Sequence, residues 1–193
     1  NGDFVTATLS VDAQSYSYHI FDLNLGTDTK ISDFYFKTKH TDALVPTETV
    51  QITARDGMKL NALLLRPKGV DGAAPMVLEV HGGPAGQVKW EYHHFRQFLV
   101  NRGYAVLAVN FRGSSGLGKI YQAAGYGEYG RKMQNDLVDA TLWAIDQGIA
   151  DPNAIAINGS SYGGYASAMG LVRDPDLFKA GIIEHAMLDV AYQ

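Results

Sequence analysis

Hydrophobic and polar residues alternate in two short runs near the start of the chain, Phe4 to Val11 and Tyr16 to Leu23. Alternation of this kind is typical of β-strands that bury one face, and residues 12–15 between the runs favour a turn. The pattern therefore predicts an antiparallel hairpin. A second turn is expected near residues 25–27, followed by a less regular polar stretch that leads to Pro46.

Another hairpin is predicted from Thr49 to Ala54 and from Lys59 to Arg66, across the polar turn at residues 55–58. The irregular polar stretch that ends at Pro46 indicates a domain boundary near Ala43 to Pro46. We therefore predict two domains, with residues 1–45 in the first and residues 46–193 in the second.

Beyond Pro75, short apolar strands alternate with helical patterns, which is typical of a parallel sheet covered by helices on both faces. Strands are expected at Met76 to Val80, Tyr104 to Asn110, Ala154 to Asn158 and Ala180 to Glu184, and helices at Tyr92 to Arg102, Lys132 to Gln147 and Tyr162 to Arg173. Asp151-Pro152 should form a turn before the third strand, and Asp174-Pro175 should end the last helix. The predicted fold class is α/β.

Composition and charge exclude several classes of protein. The 193 residues carry a net charge of -4 without long runs of one sign, which gives no basic surface for nucleic acid or anionic lipid. The absence of cysteine rules out disulfides, thiolate metal sites and a cysteine nucleophile among these residues. No stretch is long and apolar enough for a transmembrane helix. The start, Asn1-Gly2-Asp3, shows neither an initiator methionine nor a signal pattern, so the natural N-terminus is expected elsewhere and the compartment, cytoplasmic, periplasmic or secreted, stays open.

The segment from Gly159 to Gly163 has the form G-x-S-x-G and lies between a predicted strand and a predicted helix. That context is typical of a nucleophile elbow, a turn so tight that small residues are required on either side of the nucleophilic serine. The glycine spacing selects Ser161 over Ser160. The N-terminus of the following helix favours negative charge beside Ser161. The alternative interpretation is a Gly-Ser turn that only caps a helix.

A second signal follows the first predicted strand of the sheet, where the sequence reads His81-Gly82-Gly83-Pro84. Consecutive glycines expose backbone N–H groups. In hydrolases with a nucleophile elbow this loop supplies one donor of the oxyanion hole, and the residue after the nucleophile supplies the other. The predicted donors are the N–H groups of Gly83 and Tyr162. We expect His81 to shape this hole, because the base of this fold follows the serine in chain order.

A glycine-rich loop, Asn110 to Gly118, follows the next predicted strand but lacks the lysine and the spacing of a phosphate-binding loop. Its place at the carboxyl end of a strand leaves two interpretations open with equal weight, a binding or positioning role for Arg112 or a buried structural ion pair. His93 and His94 are adjacent and in a helix would point about 100° apart, so they do not predict a metal site. Neither a metal nor a cofactor is expected.

Together these motifs resemble the prolyl oligopeptidase family of serine peptidases, especially its acylaminoacyl-peptidase and dipeptidyl-peptidase-like branch. The motifs that carry the resemblance are His81 to Pro84, Asn110 to Ser114, Gly125 to Gly127, Asn135-Asp136 and Gly159 to Tyr165. The match extends from about residue 46 to about residue 182. Tyr18 to Leu23 is similar to the last strands of the β-propeller that precedes the hydrolase domain in that family.

The resemblance implies an α/β-hydrolase domain behind a β-propeller that admits short peptides and excludes folded proteins. It implies that Ser161 is the nucleophile, that peptides are cleaved near their N-terminus through an acyl-enzyme, and that the Tyr162 ring helps to form the pocket for the residue before the scissile bond. Two features depart from the family pattern. Several relatives have a tyrosine in place of His81, and residues 184–189 replace the usual apolar-proline run.

The family's catalytic acid and histidine come after the serine, and the resemblance implies that they lie beyond residue 193, so that this chain alone would be inactive. An internal triad from Glu184, His185 or Asp189 is the alternative. A carboxylesterase is a rival function, because an elbow and an oxyanion hole serve esters and amides alike. A non-catalytic truncated hydrolase module is the rival from another class. An unpaired sheet edge leaves a homo-oligomer open.

Overall fold

A computed structural model describes residues 2–11, 14–33 and 41–189 of the chain. The strands and helices of these residues are, in chain order, β1 (Phe4–Val11), β2 (Gln14–Asp22), β3 (Thr27–Asp33), β4 (Glu48–Thr53), β5 (Lys59–Leu65), β6 (Ala74–Val80), α1 (His94–Val100), β7 (Ala105–Asn110), α2 (Lys119–Ala123), α3 (Lys132–Asp146), β8 (Ala150–Ser160), α4 (Tyr162–Arg173) and β9 (Ala180–Glu184). The strands form two sheets.

The first sheet contains three antiparallel strands in the order β1-β2-β3. Phe4 pairs with Asp22 and Val5 pairs with Phe21, so the predicted hairpin is confirmed, while residues 12 and 13 of its turn lie outside the described residues. β2 pairs with β3 across the second predicted turn. The sequence does not predict the extent of β3, because its residues, TDTKISD, are almost all polar and show no apolar face.

The second sheet contains six strands in the order β4-β5-β7-β6-β8-β9. β4 and β5 form the predicted hairpin, with Glu48 opposite Leu64 and Thr53 opposite Lys59. β5 is antiparallel to β7, whereas β7, β6, β8 and β9 are parallel. Parallel strands joined through helices end at the same edge of a sheet, which is where open α/β sheets bind their ligands. The predicted α/β class is confirmed, and His81, Ser161 and the loop after β7 lie at this edge.

The core lies on both faces of the six-stranded sheet, and every residue of β7, near the centre of the sheet, is buried. Successive residues of a strand point to opposite faces. On one face, Leu78 and Leu107 pack against residues of α3 and α4. On the other face, Val77 packs against Leu99 and Val100 of α1. The helices therefore fix the strands from both sides and hold their carboxyl ends in place.

Helix α1 begins at His94 rather than at Tyr92, where the pattern places its start. His93 has an extended backbone and caps the helix, because its ring Nδ1 lies 3.5 Å from the backbone nitrogen of Arg96. Helix α2 is not predicted, because its five residues are too few to show a helical period and none of them is buried. Among the helices of the described residues, none is long and apolar enough to cross a membrane.

Strand β8 is longer than predicted, because it begins at Ala150 rather than at Ala154. Asp151-Pro152, predicted as a turn before this strand, lies inside it, so that prediction is wrong. The pairing of β6 with β8 shifts register between Ala74 and Met76, so the chain makes an irregularity here without leaving the sheet. Proline is compatible with such a place, because a bulge does not need a ladder hydrogen bond from it.

The segment just before the second sheet packs on α1. The Val45 N–H donates to Gln97 Oε1 (3.1 Å), and Gln97 Nε2 donates to the Val45 carbonyl (2.8 Å). Val45 is buried in the cluster on the α1 side of the sheet. These contacts attach the residue to the second sheet, and the domain boundary after residue 45 stays a prediction.

Candidate active site

Ser161 lies in the sharp turn that joins β8 to α4. Its backbone angles are φ 58° and ψ -119°. Such a conformation is uncommon for a residue with a side chain and typically costs about 1–3 kcal/mol. Two hydrogen bonds maintain it: the Ser161 N–H donates to the Glu184 carbonyl of β9 (3.0 Å), and the Ser161 carbonyl accepts from the Tyr165 N–H of α4 (3.0 Å). The turn therefore holds the half-buried Ser161 side chain at the carboxyl edge of the sheet.

Two glycines allow this turn to form. A Cβ atom on Gly159 would overlap the backbone of Gly163, and a Cβ atom on Gly163 would overlap the carbonyl of Val80 at the end of β6. The strands cannot separate to make room, because β6 and β8 are paired up to this point. The G-x-S-x-G spacing therefore reflects close approach of backbone to backbone around Ser161, and the choice of Ser161 over Ser160 as the nucleophile stays a prediction.

The loop after β6 passes directly beside Ser161. A Cβ atom on Gly82 would lie 3.5 Å from the Cβ atom of Ser161. Gly83 has φ 129°, and a Cβ atom there would lie 2.5 Å from the backbone nitrogen of Ala85. The peptide bond from Gly83 to Pro84 is cis. No acceptor in the described residues pairs with the Gly83 N–H. The face that this loop presents to the serine is therefore backbone, as a loop that donates N–H groups requires.

His81 is held at the start of this loop by three contacts. Its Nδ1 lies 2.8 Å from the Gly82 carbonyl oxygen, and its Nε2 lies 2.8 Å from Ser114 Oγ. Its ring stacks on Phe111 with 4.4 Å between the ring centroids and 14° between the planes. Burial lowers the pKa of the imidazole below its ordinary value, although the Gly82 carbonyl acts in the opposite direction. The ring is therefore neutral at neutral pH, and both nitrogens have partners other than Ser161.

The ring of Tyr162 lies in a cluster of aromatic side chains. It is 1% exposed, and its centroid lies 5.4 Å from that of Phe111, 5.0 Å from Tyr129 and 5.7 Å from Tyr165. Burial and the neighbouring tyrosines raise the pKa of its hydroxyl above the ordinary value. A substrate could contact this ring only if the cluster opened, so that role stays a prediction. The Tyr162 N–H begins α4 and is one of the donors that a helix leaves without an internal acceptor.

A cavity of about 380 Å³ opens beside the elbow at the ends of β6 and β8. Its wall includes residues 93–95 at the start of α1 and Glu184 at the end of β9. Ser160 lines this cavity, and its Oγ lies 3.4 Å from Nδ1 of His185. In the described residues, no side chain hydrogen-bonds to Ser161 Oγ. His185, which follows β9, therefore lies beside Ser160, the residue before the predicted nucleophile.

A buried ion pair supports the wall of this cavity. Arg96 donates from Nε and Nη2 to the two carboxylate oxygens of Glu79, at 2.9 Å and 2.8 Å, and so ties α1 to β6. The rings of His93 and His94 stack on each other with 5.3 Å between centroids.

In the part of the chain that the structure describes, no group of three or more His, Asp or Glu side chains could hold a metal ion.

The side chain of Arg112 lies in a buried ion network and is 5% exposed. It donates to both carboxylate oxygens of Asp136 in α3, and also to both carboxylate oxygens of Asp56 in the turn between β4 and β5 (2.7 Å and 3.0 Å). Hydrogen bonding to the two carboxylates raises the pKa of Arg112, and the same guanidinium lowers the pKa of Asp56 to about 2. This geometry favours the ion-pair alternative, and contact between Arg112 and substrate stays a prediction.

Sequence reasoning missed two residues that hold His81, namely Phe111 and Ser114. Both are fully buried, and Ser114 Oγ lies 2.6 Å from the Phe111 carbonyl oxygen, to which it can donate. They follow β7, which is the parallel neighbour of β6. Because neighbouring parallel strands end side by side, the loop after β7 could have been expected beside the loop that begins at His81.

A serine raised on a strand-to-helix turn at the carboxyl edge of a mainly parallel sheet is the arrangement of the α/β-hydrolases, and the second sheet with its helices places the chain in that class. A family model narrows the class. The model of the prolyl oligopeptidase family matches residues 90–193, so the chain belongs to this family.

Individual relatives agree with that assignment. The chain is 43% identical over 173 residues to dipeptidyl aminopeptidase BIII of Pseudoxanthomonas mexicana, covering 86% of this chain and 25% of the relative. It is 28% identical over 163 residues to acylamino-acid-releasing enzyme 1 of Oryza sativa subsp. japonica, covering 84% of this chain and 21% of that protein. The chain thus spans about a quarter of the length of these curated relatives.

A solved structure extends the likeness to the first sheet. A puromycin-hydrolyzing peptidase of Mycobacterium tuberculosis matches with a TM-score of 0.92 at 25% sequence identity, covering 99% of this chain and 30% of that one. The match therefore includes the three antiparallel strands before the hydrolase sheet, which are of the kind expected for the last strands of a β-propeller. The resemblance to the prolyl oligopeptidase family is confirmed.

Proposed function

We propose that this chain supplies the nucleophile and the oxyanion hole of a serine peptidase that hydrolyses short peptides. Ser161 Oγ attacks the carbonyl carbon of the scissile bond while its proton passes to a base. The negative oxygen of the tetrahedral intermediate accepts from the N–H groups of Gly83 and Tyr162. The C–N bond then breaks, the leaving amine takes the proton, and water hydrolyses the acyl group from Ser161.

The observation that carries this proposal is the juxtaposition of Ser161 with the glycine loop. The serine has a strained backbone at the N-terminus of α4, and a Cβ atom on Gly82 would be only 3.5 Å from its own Cβ. Strain of this kind concentrates at functional sites. A turn that merely capped the helix would need neither the strain nor the adjacent loop of backbone donors.

The substrate class is supported by the relatives. One is named a dipeptidyl aminopeptidase and another an acylamino-acid-releasing enzyme, and both names describe cleavage near the N-terminus of a peptide. We therefore infer short peptides cleaved near their N-terminus as substrates. Residues 1–45 would end a propeller that limits access, and residues 46–193 would begin the hydrolase domain. The base and the acid that orients it would come from outside these residues, in the natural-length protein.

Covalent labelling tests the nucleophile directly. The natural-length protein should react with a fluorophosphonate probe, Ser161→Ala should abolish labelling, and Ser160→Ala is the matched control that should retain it. Labelling that persists in Ser161→Ala, or a labelled peptide that maps to Ser160, would contradict the assignment. Assays on dipeptidyl and acylaminoacyl nitroanilides, run beside nitrophenyl esters, distinguish a peptidase from a carboxylesterase. Turnover of the esters alone would show that the protein is a carboxylesterase and contradict the proposed function.

A further inference from the structure

The two ring nitrogens of His81 have different partners. Nδ1 lies 2.8 Å from the Gly82 carbonyl oxygen, which can only accept a hydrogen bond, so Nδ1 must carry a proton. Nε2 lies 2.8 Å from Ser114 Oγ, which also lies 2.6 Å from the Phe111 carbonyl oxygen. With Nδ1 protonated, Nε2 of the neutral ring is an acceptor, so the single Ser114 hydroxyl proton is shared between Nε2 and the Phe111 carbonyl oxygen. The contacts thus select one tautomer, in which Nδ1–H donates to the Gly82 carbonyl.

That carbonyl belongs to the peptide unit that also contains the Gly83 N–H. The peptide bond between Gly82 and Gly83 is not among the cis bonds of the described residues, and in a planar trans peptide the C=O and N–H point in opposite directions. Any group that fixes the Gly82 carbonyl therefore fixes the direction of the Gly83 N–H. Glycines on both sides leave this peptide free to rotate unless something holds it.

The surroundings leave one orientation for this carbonyl. A Cβ atom on Gly86 would overlap the Gly82 carbonyl and would lie 2.9 Å from His81 Nδ1, so the oxygen is enclosed between the ring and the Gly86 backbone. The ring itself is fixed, because it stacks on the fully buried Phe111. The ring and the peptide unit thus form one rigid arrangement.

We propose that His81 is a positioning residue: its Nδ1–H holds the Gly82–Gly83 peptide so that the Gly83 N–H faces the oxyanion formed on attack by Ser161. This inference rests on the proposed function, since it assigns His81 a task within the same oxyanion hole. The residue acts through Gly83 and does not touch the reacting atoms. This role belongs to the Nδ1–H group of His81 and is distinct from the packing of its ring on Phe111.

Two amide substitutions separate the nitrogens. The side-chain amide nitrogen of asparagine falls near imidazole Nδ1, and that of glutamine falls near Nε2. In the natural-length protein, His81→Asn should keep kcat for a peptide nitroanilide near the wild-type value. His81→Gln should lower kcat by about 10- to 1,000-fold, as for the loss of one oxyanion donor, with little change in KM. His19→Asn and His19→Gln, at a histidine paired with Asp28 in the first sheet, are matched controls that should leave kcat unchanged.

Binding of a transition-state analogue measures the oxyanion hole directly, and a change in ring packing alone should not alter it. Affinity for a peptide boronic acid, which forms a tetrahedral adduct with serine, should fall in His81→Gln and be retained in His81→Asn, while thermal melting confirms that both variants fold. Equal losses in the two folded variants, or no loss in either, would overturn the proposal. Loss of labelling in Ser161→Ala together with such a result would leave the proposed function standing and remove only the role of His81.

The tautomer can be measured without a variant. Nitrogen NMR of the wild-type protein labelled at histidine should show His81 Nδ1 protonated and Nε2 unprotonated at neutral pH. Protonation at Nε2 alone would contradict the bond to the Gly82 carbonyl and overturn the proposal even if a substituted protein failed to fold.

Discussion

Arg112 donates two side-chain hydrogen bonds to the carboxylate of Asp136, from Nε to Oδ2 at 2.8 Å and from Nη2 to Oδ1 at 2.6 Å. The same carboxylate accepts the Arg112 backbone N–H (2.9 Å). The two side chains are only 5% and 0% exposed. The pair joins α3 to the loop after β7, and because that loop carries Phe111 and Ser114, it also supports His81 from behind.

Removing one charge of this pair should destabilise the protein strongly. Asp136→Asn would leave the buried Arg112 guanidinium with the partly exposed Asp56 carboxylate as its charged partner, and breaking a buried ion pair costs up to about 3–5 kcal/mol. We expect a loss of that order in the free energy of unfolding, measured by urea titration. Glu48→Gln is the matched control, because the Arg66–Glu48 pair is about half exposed and such pairs contribute about 0–1 kcal/mol. Similar losses in the two variants would contradict the prediction.

Asp56, the other partner of Arg112, should make stability depend on acid pH. The Arg112 guanidinium lowers its pKa from 3.8 to about 2 in the folded protein. Because the folded pKa is the lower one, the ionised form stabilises the fold above the unfolded pKa, and this contribution disappears as the pH falls from about 4 to about 2. The melting temperatures of wild type and Asp56→Asn should therefore differ at pH 6 and converge towards pH 2. The difference should be modest, since the carboxylate is 39% exposed. If the difference in melting temperature between wild type and Asp56→Asn were the same at every pH, the ionisation of Asp56 would not be the source of the acid dependence.

The sequence predicts the sheet but not this ion network. Apolar runs identify β6 and β7, because buried parallel strands are continuously hydrophobic over several residues. Arg112 finds partners 24 and 56 residues away, and neither separation leaves a periodic trace in the sequence. Burial of Arg112 thus depends on tertiary packing. From sequence alone, a glycine-rich loop that binds a ligand cannot be distinguished from one whose arginine pairs with a carboxylate of the same protein.

A side chain at Gly83 should impair turnover. Its φ of 129° is strained for any residue with a Cβ atom, and that atom would lie 2.5 Å from the Ala85 backbone nitrogen. Gly83→Val should therefore displace the N–H proposed for the oxyanion hole and lower kcat by about 10- to 1,000-fold. Steady-state assays on a peptide nitroanilide measure the effect, and thermal melting confirms folding.

Gly103→Val is the matched control for this substitution. Gly103 also has a positive φ, 87°, but a Cβ atom there would meet no other atom within 4 Å. The control carries comparable backbone strain without obstructing the site, so it should retain kcat. An unchanged kcat in folded Gly83→Val would place the oxyanion hole elsewhere.

Sequence predicts the elbow better than its surroundings because the elbow is set by contacts between near neighbours. Gly159 and Gly163 face each other across one turn, so the requirement for glycine falls on two positions only four residues apart. The support of His81 comes from Phe111 and Ser114, about 30 residues further along, and depends on which strands become neighbours. Strand order is a property of the whole sheet, so a local pattern predicts the histidine but not what holds it.

The last prediction concerns the 193-residue polypeptide by itself, which should not turn over peptides even with Ser161 in place. A serine hydroxyl is a weak nucleophile at neutral pH and needs a base within hydrogen-bond reach. In the described residues, no imidazole occupies that position: His185 lies beside Ser160, and both nitrogens of His81 have other partners. Ile182 and Ile183 of β9 are also 43% exposed, so the isolated polypeptide should associate through this strand.

The assay compares these 193 residues with Ser161→Ala on dipeptidyl and acylaminoacyl nitroanilides, at matched concentrations of folded protein. Equal rates are expected, because without its base a serine hydrolase keeps only the small residual acceleration that binding and an oxyanion hole supply. Turnover above that of Ser161→Ala would mean that a base is present within the chain. His185→Ala then identifies it: if this substitution removes the excess rate, the segment after β9 completes the triad, and the placement of the base outside these residues is wrong.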